Sequence, residues 1–228
     1  MNDQKSINDF KKVTINNEQD EGLFINLMLI EFTDPNMELV FATNNKNKVY
    51  EVSKLIDPKI KLLALSDINC NEELAETQAT LEGNALQKAQ FVFDKYKQNC
   101  FADDTGLEIE ALDGKPGVKS ARYAGEGCLA NDNMNKVLLE MKGIKSRKAK
   151  FRTIIALILD GKEHLFEGSV QGMILKQKQG EKGFGYDPIF QANGHKVSFA
   201  EISVEEKNKI SHRAIAVHKL VEYLNKLK

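Results

Sequence analysis

The chain has 228 residues, of which 42% are hydrophobic and 29% are charged, so its composition is that of a soluble globular domain and excludes a disordered chain. Its 32 lysines and arginines balance 33 aspartates and glutamates, and the formal net charge of −1 excludes a polybasic protein attracted to nucleic acid or to an anionic membrane. The longest apolar stretch, residues 23–30, falls short of the roughly 20 residues that cross a bilayer, and three widely spaced cysteines indicate reduced thiols in a cytoplasmic protein.

Residues 1–36 differ in texture from the rest of the chain. Residues 1–34 contain three lysines against seven acidic residues, which leaves a local charge of −4, and they are rich in asparagine. Such a segment is typical of a flexible or loosely packed N-terminal extension, and docking of its apolar patch, residues 23–32, on the folded body is the alternative. We therefore predict that the folded domain comprises residues 37–228.

From residue 37 onward, predicted strands alternate with predicted helices. Short apolar runs predict strands over residues 39–42, 60–65, 100–102, 107–109 and 154–159. Apolar residues at helical spacing predict helices over residues 49–56, 81–93, 137–141 and 214–224, the first of them ended by Pro58. Ser203 and Glu206 fit a capping box. This alternation predicts an α/β fold around a mostly buried sheet.

The first candidate site is the polar segment TNNKNK at residues 43–48, between the first strand and the first helix. The first backbone N–H groups of a helix lack internal partners and attract anions, and Lys46 and Lys48 add positive charge. The segment therefore predicts a phosphate-binding turn, although it is not a Walker A loop. A plain polar turn is the alternative.

Carboxylates form the second candidate. Asp103 and Asp104 follow an apolar run and precede Gly106, which predicts a turn there. Adjacent strand residues point in opposite directions, so only one of the two acids should face a given cleft. Glu76 is a candidate second oxygen ligand for a hard cation, and Lys88 shares a helix face with Asn84. An acidic turn and a solvated helix start are the alternatives.

Two further segments carry aromatic and basic residues. Residues 183–188, GFGYDP, place Phe184 and Tyr186 on a bendable backbone, where an exposed ring could stack on a nucleobase; two core aromatics beside a turn are the alternative. Ser211 can cap the last helix and place His212 and Arg213 in its first turn, where the helix dipole disfavours cations. Their presence there, near Lys207, indicates an anionic or oxygen-rich partner.

The basic run over residues 142–152 lacks interleaved aromatic residues and is predicted to be a solvated loop. The sequence offers no internal repeat.

Taken in order, these segments resemble the inosine triphosphate pyrophosphatase family. The matching stretches are FATNNKNK, ETQATLEGNALQKA, FADDTGLEIEALDGKPGVKSARYAGE, GFGYDPIF and FAEISVEEKNKISHRAIA. They cover nearly all of residues 37–228 and leave residues 1–36 outside the resemblance. Gln78 departs from the pattern, since relatives often carry glycine there, as does Thr105, where many have serine.

The resemblance implies a nucleoside triphosphate pyrophosphatase that depends on Mg²⁺ and converts the non-standard purine nucleotides ITP, dITP and XTP to the monophosphate and pyrophosphate. It also implies an elongated mixed sheet flanked by helices, two lobes with the active-site cleft between them, and a homodimer. Glu76 and Asp104 would ligate the metal, and Asp104 would accept the proton of the attacking water. The residues implied to bind substrate are Thr43, Asn44, Asn45, Lys46, Asn47, Lys48, Lys88, Thr105, Phe184, Gly185, Tyr186, Asp187, Lys207, His212 and Arg213.

The physics of the reaction agrees with this resemblance. Cleaving a phosphoanhydride requires positioning and charge neutralisation, which lysines and a metal supply. Donors near His212 and Arg213 would pair with O6 of hypoxanthine or xanthine and leave the amino group of adenine facing other donors. The expected partner is a small nucleotide, with no nucleic acid and no membrane. Two alternatives remain: a Maf-like enzyme for modified pyrimidine triphosphates, and a non-catalytic nucleotide-binding or RNA-associated module.

Overall fold

A computed structural model describes residues 37–127 and 129–227 of the chain. The predicted N-terminal extension, residues 1–36, and Cys128 lie outside the described residues. Within them, no helix combines the length and the apolar character needed to cross a membrane.

One mixed sheet forms the centre of the fold. Its strands are β1 (Met37–Phe41), β2 (Ile60–Leu63), β3 (Cys100–Ile109), β4 (Pro116–Gly117), β5 (Lys148–Leu159), β6 (Lys162–Ile174) and β7 (Phe190–Ala192). They lie in the order β2-β1-β3-β5-β6-β7, with β4 paired to β3. Strand β1 is parallel to β2 and β3, and the remaining pairs are antiparallel. The predicted α/β class is confirmed.

Helices flank this sheet in the described residues: α1 (Lys46–Ser53), α2 (Leu81–Tyr96), α3 (Ala130–Glu140), α4 (Val204–Ile210) and α5 (His212–Asn225). The predicted capping box is present, because Ser203 accepts from Glu206 N and Glu206 reaches back to Ser203 N. Helix α1 was expected to continue to Pro58 but ends at Ser53. The N–H groups of Leu55 and Ile56 both donate to Val52 O at 2.9 Å, so a tight turn ends the helix first.

Both faces of the sheet are buried where β5 crosses its centre. Ala85 and Ala89 of α2 pack against β3 and β5 in one apolar cluster, and Val217 and Leu220 of α5 belong to a cluster on Phe101 and other strand residues. Residues 154–159 are all buried, as their continuous apolar run predicted. Each fully buried valine or leucine contributes about 1.5–3 kcal/mol, so these contacts fix α2 and α5 on the sheet.

The predicted pair of short strands around an Asp-Gly turn is wrong. Strand β3 is continuous, and every residue from Cys100 to Ile109 has a partner on β5. Asp103 remains in the strand because Lys48 and Arg213 compensate its charge. Gly106 serves close packing instead of a turn, since a Cβ there would lie 2.8 Å from Gly117 O.

The prediction of a solvated basic loop is also wrong for residues 148–152, which form the first half of β5. Basic residues alternate there with the buried Ala149 and Phe151, which is the period-two pattern of a strand. Strand β6 was not predicted, because two of its three buried positions are the glycines 168 and 172 and the apolar signal is weak.

Candidate active site

A cavity of about 780 Å³ brings the predicted site residues together. Its volume lies within the range of small-ligand pockets. The predicted residues that line it are Thr43, Asn44, Asn45, Asn47, Lys48, Glu76, Lys88, Asp104, Thr105, Phe184, Gly185, Tyr186, Asp187, Lys207, His212 and Arg213. Lys46 is the exception: it is exposed at the start of α1 and does not line the cavity.

The predicted phosphate turn caps α1 with its own side chain. Asn45 Oδ1 accepts from the backbone N–H groups of Asn47 (3.0 Å) and Lys48 (3.2 Å). Two of the helix N–H groups expected to attract phosphate therefore already have a partner. Asn44 and Asn45 are exposed, so an anion can reach the turn, but it must compete with the Asn45 side chain.

The two adjacent aspartates face different surroundings, as predicted from strand alternation. Asp104 lines the cavity and Asp103 does not. Asp103 is 1% exposed and accepts from Lys48 Nζ at 2.9 Å and from Arg213 Nε at 3.1 Å. Burial opposes its charge, but Lys48 and Arg213 outweigh burial and hold the pKa of Asp103 well below its usual range.

Asp104 lies beside Glu76 and Lys88 in the cavity wall. Lys88 Nζ is hydrogen-bonded to Glu76 Oε1 and lies 3.9 Å from Asp104 Oδ1, so one ammonium group lies near both carboxylates. Burial raises the pKa of Asp104, although Lys88 opposes this shift. Burial also opposes the charge of Glu76, but Lys88 reverses the balance and the pKa of Glu76 is lowered.

Asp104 and Glu76 fit the donor set of a magnesium site. Among residues 37–127 and 129–227, no three His, Cys, Asp or Glu side chains are close enough to hold a metal between them. Mg²⁺ is commonly held by only one or two carboxylates together with substrate phosphates and water. Since one ammonium group already lies near both carboxylates, this part of the cavity can hold a cation.

Asn84 links Asp104 to the segment that carries Glu76. It is fully buried, donates from Nδ2 to Asp104 Oδ2 at 3.0 Å and accepts at Oδ1 from Gln78 N at 2.8 Å. The unusual Gln78 thus uses its backbone to fix Asn84. Its side chain is close to Gly83, where a Cβ would lie 2.7 Å from Gln78 Cβ.

A buried ion network lies behind the part of the cavity wall that contains Lys207 and Arg213. Glu51 accepts from Lys207 Nζ at 2.8 Å and also binds Arg213 Nη1, and Lys207 Nζ reaches Asp187 Oδ2 at 2.6 Å. Burial raises the pKa of Asp187 against the opposing charge of Lys207. Arg213 Nη2 also donates to Thr105 Oγ1 at 3.2 Å. Several of the Arg213 donors expected to recognise a base are therefore engaged by protein oxygens.

Residues 183–188, which we call the aromatic loop, contact this network. The Phe184 ring lies 4.9 Å from Lys207 Nζ and 5.4 Å from the guanidinium carbon of Arg213. Asp187 Oδ2 accepts from Phe184 N at 2.9 Å, and Gly183 is required there because a Cβ would lie 2.2 Å from that oxygen. Tyr186 was expected to be exposed but is 5% exposed, with its hydroxyl donating to Ser120 O at 2.8 Å.

His212 lies at the start of α5, where Ser211 caps the helix as predicted. Its ring stacks on Phe151 with centroids 4.5 Å apart. Burial, together with the nearby Arg213 and Lys207, lowers the pKa of His212 well below its usual value, so the ring is neutral at pH 7. Its buried Nδ1 has no hydrogen-bond partner within the described part of the chain.

Several cavity residues were missed by sequence reasoning: Glu73, Ser120, Arg122, Asn133 and Phe151. Glu51 was also missed, although it supports the cavity from behind. The stretch KSARYAGE contains Ser120 and Arg122, so the resemblance marked the segment without assigning their roles. Asn133 and Phe151 carry no local signal, since tertiary packing alone brings them to the cavity.

Known proteins share both the sequence and the fold. The profile of the Ham1 family matches residues 39–223. A dITP/XTP pyrophosphatase of Flavobacterium psychrophilum is 54% identical over 187 residues, or 82% of this chain and 98% of the relative. A dITP/XTP pyrophosphatase of Flavobacterium johnsoniae is 50% identical over 84% of this chain and 100% of the relative.

Solved structures agree with these sequence relatives. The structure of the Staphylococcus aureus Ham1 protein is similar with a TM-score of 0.77 and 37% identity, and the match covers 84% of this chain and 100% of that chain. The resemblance found in the sequence and the α/β fold are both confirmed. With its family profile, its relatives and its fold in agreement, this chain belongs to the Ham1 family.

Proposed function

We propose that this chain is a nucleoside triphosphate pyrophosphatase that hydrolyses XTP, dITP and ITP to the monophosphate and pyrophosphate and so removes them from the nucleotide pool. One observation carries the proposal: a single cavity joins the carboxylates Glu76 and Asp104 and several cations to the rings of Phe184 and His212. The printed names of the relatives, dITP/XTP pyrophosphatase, support the substrate class.

In the proposed reaction, water breaks the bond between the α and β phosphates. Asp104 accepts the proton of that water, and its burial favours this role because a raised pKa makes a carboxylate a stronger base. Asn84 fixes the orientation of Asp104 through its 3.0 Å hydrogen bond. Lys48 and Lys88 neutralise charge on the phosphates.

Glu76 and Asp104 would hold Mg²⁺, which when bound neutralises phosphate charge and aligns the reacting groups. Both carboxylates line the cavity, and the lowered pKa of Glu76 keeps it ionised and able to bind a cation. Removing divalent metal with EDTA should abolish hydrolysis, and added Mg²⁺ should restore it.

The part of the cavity wall around Phe184, Lys207 and His212, which we call the aromatic end, would select the base. Phe184 offers a ring for stacking, and neutral His212 has one donor and one acceptor nitrogen for a purine edge. A pocket that hydrogen-bonds O6 rejects adenine because it leaves polar groups unpaired. This supports preference for hypoxanthine and xanthine over adenine.

Pyrophosphate release from ITP, XTP, dUTP, GTP and ATP tests the proposal. We expect kcat/KM for ITP and XTP to exceed that for ATP by at least about a hundred-fold. A preference for dUTP would identify a pyrimidine enzyme instead, and absence of Mg²⁺-dependent release from all five would indicate a non-catalytic nucleotide-binding module.

We also infer a cytoplasmic homodimer. The family resemblance supports the dimer, and the buried thiols of Cys70 and Cys100, which form no disulfide, suit a reducing compartment. Sedimentation equilibrium of the full chain should give twice the monomer mass of 25.6 kDa; a single monomeric species at micromolar concentration would refute the dimer.

A further inference from the structure

The cations that line the cavity differ in how far protein carboxylates neutralise them. In the described part of the chain, the lysines and arginines of the cavity wall are Lys48, Lys88, Arg122, Lys207 and Arg213. Each of them except Arg122 is hydrogen-bonded to at least one carboxylate. The Arg122 guanidinium lies 3.7 Å from its nearest carboxylate, Glu76, which is too long for a hydrogen bond.

Arg122 is also the most exposed of these cations. Its side chain is 27% exposed, compared with 13% for Lys48 and 5% for Lys88. An anion that enters the cavity therefore meets Arg122 as the cation whose charge is least compensated by the protein. A phosphate oxygen is a suitable partner, because the planar guanidinium can donate two parallel hydrogen bonds to it.

The guanidinium also has an anchor other than the Glu76 carboxylate. Arg122 Nη2 donates to the backbone carbonyl oxygen of Glu76 at 2.7 Å. This bond occupies one of the five guanidinium N–H donors. When the Glu76 carboxylate turns toward another cation, the carbonyl can keep Arg122 in place, and the other donors are available to a ligand.

The backbone around Arg122 is fixed on both sides. Asn133, 3% exposed, donates to Ala121 O at 2.8 Å and accepts from Ala124 N at 2.6 Å. Ser120 accepts from Leu107 N at 2.9 Å through its hydroxyl. The turn is therefore rigid before any ligand arrives, which reduces the entropy lost on binding.

We propose that Arg122 is a further substrate-binding residue, which binds the phosphate tail of the nucleotide from the Glu76 side of the cavity. The same contact holds the pyrophosphate product after cleavage. This inference rests on the proposed pyrophosphatase function, since it assigns one more residue to the same substrate.

The test compares Arg122→Gln and Arg122→Lys with Lys119→Gln in the full chain. Lys119 is exposed, lies three residues from Arg122 and does not line the cavity, so its substitution removes the same charge without touching the site. Steady-state hydrolysis of XTP gives KM, and inhibition by inorganic pyrophosphate in the presence of Mg²⁺ gives Ki. The rise in melting temperature caused by pyrophosphate provides a readout that needs no turnover.

We expect Arg122→Gln to raise KM for XTP and Ki for pyrophosphate about ten-fold and to reduce the thermal shift, since a hydrogen bond to a charged group is lost. Arg122→Lys should fall between this variant and wild type, and Lys119→Gln should match wild type. The inference is overturned if Arg122→Gln leaves Ki and the thermal shift unchanged, even if it lowers the melting temperature. Inactive wild-type protein would instead overturn the proposed function.

Discussion

The two ends of the cavity use the same kinds of charged side chain in different ways. At the carboxylate end, Glu76 and Arg122 are 25% and 27% exposed and lie 3.7 Å apart. At the aromatic end, Glu51 and Lys207 are 5% and 4% exposed and lie 2.8 Å apart. The Glu76–Arg122 pair is partly accessible and loose, although Glu76 also bonds directly to the buried Lys88, whereas the Glu51–Lys207 pair is buried in direct contact.

The loosely paired charges are suited to binding a ligand, whereas the buried pairs hold their own side chains in position. A buried ion pair whose partners are hydrogen-bonded on several sides is held in one geometry, and removing one partner leaves an uncompensated charge. A partly exposed carboxylate can exchange its protein partner for a ligand at low cost. We therefore expect substitutions at the carboxylate end to reduce activity and substitutions at the aromatic end to reduce stability as well.

Asp104→Asn should produce the largest effect. Loss of a general base costs roughly 10²–10⁴-fold in rate, so kcat for XTP should fall about a thousand-fold. The melting temperature should stay close to that of wild type, because the amide can still accept from Asn84. Pyrophosphate release and thermal unfolding measure the two quantities.

Asp103→Asn is the matched control one residue away. It makes the same chemical change at a carboxylate that does not line the cavity and that pairs with Lys48 and Arg213. This variant should be clearly less stable than Asp104→Asn. Equal stability of the two variants, or wild-type turnover by Asp104→Asn, would contradict the separation between the adjacent acids.

Glu51→Gln should have the largest effect on stability at the aromatic end. Glu51 is buried and pairs with both Lys207 and Arg213, so its neutralisation leaves two buried cations with less compensation. We expect the free energy of unfolding to fall by about 3 kcal/mol, measured by urea denaturation.

Glu38→Gln provides the control for Glu51→Gln. It breaks the surface pair between Glu38 and Lys61, whose side chains are 53% and 52% exposed. Water screens such a pair, so stability should change much less. If both variants lost the same stability, the buried network would have no special role.

Sequence reasoning found the residues whose chemistry is local. Ser203 and Ser211 cap helices, and Asp104 alternates with Asp103 along a strand; each follows from spacing of one to three residues. The same reasoning failed at residues 103–106, because the cations that allow Asp103 to remain in a buried strand come from α1 and α5. No local pattern reveals such partners.

Dependence on tertiary packing also explains why Glu51, Asn133 and Phe151 were not predicted. Glu51 reads as a solvent-facing acid on a short helix, and only the approach of α4 and α5 makes it buried. Asn133 and Phe151 reach the cavity through packing of α3 and β5. The family resemblance predicted most of the residues that line the cavity, but it also included Lys46, which the fold leaves outside the cavity wall.

Lys48→Ala and Lys46→Ala test whether Lys48, and not Lys46, contacts the phosphates. The expected loss of activity is smaller than for Asp104→Asn. Lys48 lines the cavity, is 13% exposed and bonds to Asp103, whereas Lys46 is exposed and outside the wall. Loss of a charged contact to the triphosphate should raise KM for XTP about ten-fold in Lys48→Ala. Lys46→Ala should behave like wild type. An equal rise in KM for both variants would show that Lys46 also contacts the phosphates.

A more gradual effect is the dependence of stability on pH through His212. Burial, Arg213 and Lys207 lower the pKa of His212 in the folded protein, whereas the unfolded chain has the usual value of 6.5. Below pH 6.5 the unfolded state therefore binds a proton that the folded state excludes, and protonation favours unfolding. The stability contributed by neutral His212 is complete above pH 6.5 and is lost as the pH falls toward its folded pKa.

The slope from this one group approaches about 1.4 kcal/mol per pH unit, in addition to the titration of other groups. His212→Gln removes the imidazole, so its free energy of unfolding should fall less steeply than that of wild type between pH 6.5 and more acidic values. His218→Gln, at an exposed position on the same helix, should keep the wild-type slope. Urea denaturation at a series of pH values gives all three slopes. A common slope would mean that His212 is protonated equally in both states and that the aromatic end does not exclude the proton as its burial requires.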